Sequence, residues 1–212
     1  MPGQVIALLG AESTGKTTLA HELTRVLAAR GLNAVMVPEA LRLFCDQQGR
    51  TPMQHEQAPI AAEQTRLIEQ ARRAHGIVLA DTTALMTAVY SELIFRDTSL
   101  YAQALIDHAQ VQATLLMSLD LGWTADGLQR DGPHVREPVD GLIRSALQGA
   151  GQGYAVVAGH GAARVDHALS VIEHLLDEPA RQQRSMGAAR WRWFCDNCDD
   201  GECEQHWLTR QR

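Results

Sequence analysis

No apolar run in the 212 residues approaches the roughly 18 that a membrane-spanning helix requires, so the sequence offers no span. Positive charge is also short. Nineteen Lys and Arg against 25 Asp and Glu leave a net −6, which removes bulk electrostatic attraction to nucleic acid or to an anionic membrane. Cysteine is scarce: of four, Cys45 stands alone and Cys195, Cys198 and Cys203 cluster, which is not a disulfide framework. Cys45, at the end of Ala40-Leu41-Arg42-Leu43-Phe44, reads as a small buried apolar residue. Internal repeats and low-complexity tracts are absent. Met1-Pro2-Gly3-Gln4 leads straight into an apolar run, so no signal peptide is expected and a cytoplasmic location is the default expectation. What is present, 45% hydrophobic and 21% charged residues, suits one good core with a small appendage.

The most informative stretch is Gly10-Ala11-Glu12-Ser13-Thr14-Gly15-Lys16-Thr17, which satisfies G-x-x-x-x-G-K-[ST] at every fixed position. Val5-Ile6-Ala7-Leu8-Leu9 before it reads as a buried parallel strand. Leu19, Leu23, Val26 and Leu27 after it recur at helical spacing. Glycines at both ends let backbone N–H groups close on an anion, and the helix N-terminus adds partial positive charge. Lys16 is placed to reach the β- and γ-phosphates of a nucleotide, the Thr17 hydroxyl to bind Mg²⁺, and Thr18 to donate to the α-phosphate.

Strand-like and helical runs then alternate, the pattern of a parallel α/β sheet flanked by helices. Strands are expected at 34–37, 76–81, 114–119 and 154–158. Helices are expected at 16–30, 56–75, 83–95, 99–110, 139–148 and 162–176. Between Pro38-Glu39 and the long helix the sequence reads as loop. Residues 120–137, polar and rich in Gly and Arg, read as a mobile lid. The P-loop domain is expected over 1–178, followed at 179–212 by a linker and a small module.

Ligands of parallel α/β sheets bind at the carboxyl ends of the strands, which directs attention to Glu39, Asp81 and the 120–137 loop. Asp81 ends an apolar strand, where P-loop proteins place a Mg²⁺-holding carboxylate; a helix N-cap at this point is the alternative. Glu39 is the candidate general base for a substrate hydroxyl, or else a surface carboxylate paired with Arg42. Arg130 and Arg136 are candidates to stabilise charge on the transferred phosphoryl group, or else surface ion-pair partners.

These residues carry a resemblance to a known family. Gly10–Thr17, Glu39-Ala40-Leu41-Arg42, Gln64, Asp81-Thr82-Thr83 with Thr87, Tyr90 and Glu92, and Trp123-x-x-Asp126-Gly127-Leu128 match in order. Over residues 4–177 the chain resembles the ribosylnicotinamide kinase domain of bacterial NAD-biosynthesis regulators and related P-loop AAA-like domains. The resemblance implies a nucleoside-kinase-like fold with the Asp81 strand beside the P-loop strand. It also implies ATP, Mg²⁺ and phosphorylation of a ribosyl 5′-hydroxyl. Two departures stand out: Thr83 replaces a second carboxylate of the family, and Ala40 replaces an aromatic residue.

Near the end, Cys195-x-x-Cys198-x-x-x-x-Cys203-x-x-His206 offers a ligand set for a closed structural Zn²⁺ site. An iron–sulfur cluster and a tail with incidental cysteines are the alternatives. Trp191, Trp193 and nearby arginines could meet a protein or nucleic-acid partner. Two functions therefore stand open. One is a Mg-ATP-dependent kinase of nicotinamide riboside or a related nucleoside. The other is a regulatory P-loop ATPase whose terminal module binds a protein or RNA.

Overall fold

The structure, a computed structural model, describes residues 2–124 and 132–187. The chain divides into one unit over Met1–Leu175 and another over Leu176–Arg212. The first unit is built on β1 (Gln4–Leu9), β2 (Ala34–Val37), β3 (Ile77–Asp81), β4 (Ala113–Met117) and β5 (Ala155–Val157). They form one sheet in the order β2-β3-β1-β4-β5, and every pairing is parallel. The five expected strands are thus all found, and β3, which carries Asp81, lies directly beside the P-loop strand with Leu8 opposite Asp81.

Central strands of a parallel sheet are covered on both faces, which is why β1 after Gln4 and β3 before Asp81 are apolar, and both are buried along almost their whole length. On one face Val5, Val37, Val78 and Ala80 pack against Ile68 of α3 (Gln54–Ala74). Further along that face Ala7, Leu9 and Leu116 meet α4 (Ala84–Phe95) and α6 (Arg136–Gly149). The helix α1 (Lys16–Ala29) buries Leu19, Leu23 and Leu27, a single apolar stripe, and packs on β1, β2 and β3. By contrast α4 is apolar on nearly all sides because α3, α5 (Tyr101–His108) and α6 surround it. The closing helix α7 runs over Gly161–Gly187.

One expected loop is a helix. Residues Ala40–Gln48 form α2, ended by Gly49 at φ 67°. Its apolar residues span only two turns, too few for a periodic signal, and the helix is held by packing on α3. The loop that follows is stapled by Arg50, whose guanidinium makes two 2.7 Å bonds to Glu56 and lies 5.5 Å above the Phe44 ring. The Glu56 carboxyl is held down to about 2 by Arg50 and by the Met53 N–H, which it accepts at the start of α3. Pro59 falls within α3 near its start, and the helix continues through it.

Candidate active site

The backbone of the P-loop explains its glycines. Gly10 sits at φ 151°, and a Cβ there would fall 2.9 Å from Met117 Cβ. Gly15 sits at φ 75° and serves as the N-cap of α1 with no side chain capping the helix. The first amides of α1 are therefore left for an outside acceptor, reinforced by the helix dipole. Inside the loop the Thr14 hydroxyl donates to Ala11 O at 2.7 Å. Lys16 Nζ folds back and donates to Gly10 O and Ala11 O, both at 2.9 Å.

Across from Thr17 lies Asp81, 1% exposed. The Thr17 hydroxyl donates to Asp81 Oδ2 at 2.5 Å, and Asp81 Oδ1 is buried with no partner among the described residues. Leaving a carboxylate oxygen buried and unpaired is costly. A divalent cation bound by that oxygen and the Thr17 hydroxyl would remove the cost, so the donor set fits Mg²⁺.

Glu39, the N-cap residue of α2, lies at the carboxyl end of β2. A cavity of about 700 Å³ joins it to the loop: Glu12, Ser13, Thr14, Gly15, Lys16, Thr17 and Thr18 line one part, Glu39, Leu41 and Arg42 another. Gln57 of α3 and Tyr90, Ile94 and Phe95 of α4 continue the wall. One space therefore holds an anion-binding end, a carboxylate and an apolar end.

A family profile described as "AAA domain" matches residues 5–164. The chain belongs to that family. Among solved structures, a NadR protein in complex with NR aligns with TM-score 0.65 and 22% identity, over 83% of this chain and 51% of NadR. A NadR protein in complex with NAD and AMP-PNP aligns with TM-score 0.61 and 20% identity, over 83% and 49%. Thymidylate kinase from Ehrlichia chaffeensis aligns with TM-score 0.54 and 16% identity, over 82% of this chain and all of the kinase. The chain spans about half the length of the two NadR chains. At these identities the likeness establishes the fold, that of a P-loop kinase. No curated protein sequence matches. The sequence-level resemblance to the ribosylnicotinamide kinase domain is borne out by the family and by these neighbours.

The AAA domain also contains working parts that the sequence reading did not single out. Arg164, on α7 and 4% exposed, donates to Thr14 O at 2.9 Å, Gly159 O at 2.8 Å and Asp120 Oδ1 at 2.8 Å. Asp120 also accepts from Gly159 N at 2.6 Å. Burial opposes ionisation of Asp120, but the Ser118 hydroxyl, Arg164 and the Gly159 N–H outweigh it and hold the carboxyl well below the usual carboxylate range. Arg164 thus braces the P-loop from behind. Its only signal in the sequence is an arginine in the first turn of a helix, and nothing local distinguishes it from a surface residue. Ser13 and Thr124 form a second clasp, Oγ to Thr124 O at 2.8 Å and Thr124 N to Oγ at 3.2 Å.

Position 83, where the family's second carboxylate is replaced, has a structural part in this chain. Thr83 is the N-cap of α4, accepting from Leu85 N at 3.4 Å, and its hydroxyl meets buried His108 Nδ1 at 3.0 Å. Neither Thr83 nor Asp81 is among the residues lining the cavity; Asp81 reaches it through Thr17. The N-cap alternative raised for Asp81 therefore belongs to Thr83, while Asp81 faces Thr17. Arg136 is 8% exposed at the first turn of α6 and outside the cavity wall, with Nε and Nη2 lacking partners among the described residues. Arg130 and the Cys195, Cys198, Cys203 and His206 set lie outside the described residues. Among the described residues no His, Cys, Asp or Glu cluster suits a metal in the manner of such a module, and no helix is long and apolar enough to cross a membrane.

Proposed function

We propose that this chain is a Mg-ATP-dependent phosphotransferase acting on the 5′-hydroxyl of nicotinamide riboside or a related nucleoside. The observation that carries the reading is the shared cavity: P-loop residues, Glu39 and an apolar wall line one space of about 700 Å³. A triphosphate tail and a ring-bearing acceptor would meet there. The neighbouring NadR structures, with NR in one and NAD and AMP-PNP in the other, support the choice of acceptor.

In this reading Lys16 leaves the carbonyls of Gly10 and Ala11 for the β- and γ-phosphates, and the open amides of α1 complete the cradle. Ala11, Glu12, Ser13, Thr14 and Gly15 shape it, and Thr18 donates to the α-phosphate. Thr17 and Asp81 would hold Mg²⁺, which when bound neutralises charge on the β- and γ-oxygens. Glu39 accepts the proton of the acceptor hydroxyl as that oxygen bonds to the γ-phosphorus, and ADP departs. Arg136, whose Nε and Nη2 have no partner among the described residues, would have to turn toward the cavity to stabilise charge on the transferred group, together with Arg130.

The test is an ADP-release assay over a panel of nucleosides that includes nicotinamide riboside, with mass detection of product. The expected result is a nucleoside monophosphate formed one-for-one with ADP. ADP and free phosphate with no phosphorylated nucleoside, at a rate indifferent to the panel, would replace the kinase reading with that of a regulatory ATPase.

A further inference from the structure

Two strand-end turns must be held in register if the proposed reaction is to work: Pro38-Glu39-Ala40 after β2 and Asp81-Thr82-Thr83 after β3. Their strands are paired, Val37 opposite Ala80, but pairing stops at the rim. Beyond it, one side chain touches both turns. Gln64 of α3 is 2% exposed. Its Oε1 accepts the Ala40 N–H at 2.6 Å, and its Nε2 lies 3.4 Å from Pro38 O and 3.4 Å from Thr82 O. The backbone is thus gripped on both sides of Glu39 and immediately after Asp81.

The second turn needs a grip. Thr82 is β-branched, yet it sits in the left-handed region at φ 74°. That conformation is strained for such a residue and persists only when its surroundings impose it. Thr82 N donates to Leu8 O at 3.1 Å, anchoring the turn to β1, and Gln64 supplies the anchor from α3. An amide is the suitable group, since it offers an acceptor to the Ala40 N–H and donors to two carbonyls at once. An apolar residue on this inward face of α3 would pack more cheaply, as Ile60 and Ile68 do.

We propose that Gln64 is a positioning residue that fixes the Glu39 carboxylate relative to Asp81, and so aligns the acceptor hydroxyl with the phosphoryl group. This rests on the reading of Glu39 as base. Small displacements of reacting groups are enough to cost about 100-fold in rate. Gln64→Leu is therefore expected to lower kcat by roughly 10- to 100-fold, with the KM for ATP changed less than about 3-fold.

The deciding experiment is a double-mutant cycle on the full chain with Gln64→Leu and Glu39→Gln, read as kcat and as KM for ATP. If Gln64 acts through Glu39, the double variant is less than about 3-fold slower than Glu39→Gln alone. Losses that multiply in the two backgrounds, or a Gln64→Leu protein that melts earlier but turns over normally, would overturn the proposal while leaving the base intact. A Glu39→Gln protein with full activity would remove the base assignment and this proposal with it. Gln64→Glu guards against misfolding of the leucine variant. Glutamate keeps the acceptor for Ala40 and donates to Thr82 or Pro38 only when protonated, so its activity relative to wild type should rise as pH falls. A ratio that stays flat with pH would count against the positioning role.

Discussion

Two buried titratable side chains, Asp81 at the sheet's carboxyl rim and His108 below it, are treated in opposite ways. At the rim, Asp81 Oδ1 and two donors of Arg136 are buried without partners among the described residues. Below, His108 is equally buried, yet Nδ1 meets Thr83 and Nε2 meets Thr114 at 2.9 Å. Arg164 stands nearer His108 than Arg136: its Nε has no partner among the described residues, but its charge is matched by Asp120 and its terminal nitrogens are spent on carbonyls. Unmet polar capacity is expensive, so where it persists against a cavity-lining side chain, as at Asp81 beside Thr17, a ligand is the natural reason. Met capacity marks structure. The contrast sorts residues of identical chemistry into different jobs.

The strongest way to break that contrast is to change the rim and find nothing altered in catalysis. Glu39→Gln keeps shape and removes the proposed base. Turnover should fall about 10²- to 10⁴-fold with nucleotide affinity retained, measured by steady-state kinetics beside fluorescent-nucleotide titration. Equal turnover in the variant would place the carboxylate among bystanders.

The interior should respond to acid instead. Burial pushes His108 down to about 4 from an ordinary 6.5, so the folded protein holds a neutral ring while the unfolded chain takes up a proton first. Between those values falling pH favours unfolding, and below pH 4 the penalty is complete. At about 1.4 kcal/mol per unit the loss is on the order of 3 kcal/mol. Denaturant melts at pH 7 and pH 4.5 on wild type and His108→Gln should show the variant losing less across the interval. An identical acid loss in both would mean that His108 is not the group responsible.

Much of the rim was legible in sequence because its signals are local. The P-loop combines fixed spacing with flanking periodicity, and Asp81 closes an apolar run, so strand, loop and carboxylate could be read one after another. The five strands were legible for the same reason: buried parallel strands are apolar runs bounded by turns. α2 was not, because nine residues give too little periodicity and α3 supplies its stability. Arg164 and Gln64 escaped assignment to a task for a different reason. The contacts that give them a task reach Thr14, 150 residues from Arg164, and Ala40 and Thr82, 24 and 18 residues from Gln64, and no local pattern encodes such a contact. Thr83 illustrates a subtler limit. A resemblance to a family can show that a residue differs, but only the fold shows that the difference falls on a helix cap.

Arg164 offers the finest test of the contrast, since it is structural by its pairing yet touches the P-loop. Arg164→Met keeps the length of the stem and deletes the charge, leaving Thr14 O, Gly159 O and Asp120 short of a donor. Removing one partner of a fully buried pair costs about 3–5 kcal/mol. Asp120 remains 28% exposed and can recruit water, so a loss nearer 2 kcal/mol is expected here. The low carboxyl pKa of Asp120 adds a signature. Stability from that depression is present above the unfolded value of 3.8 and is lost as pH falls further, so the gap between wild type and variant should narrow below pH 4. With the brace gone the Thr14 carbonyl loses an anchor, and ATP affinity should weaken by only a few-fold, while Glu39 and Asp81 keep kcat near its original value. A collapse of kcat with stability unchanged would reverse the assignment and move Arg164 to the rim.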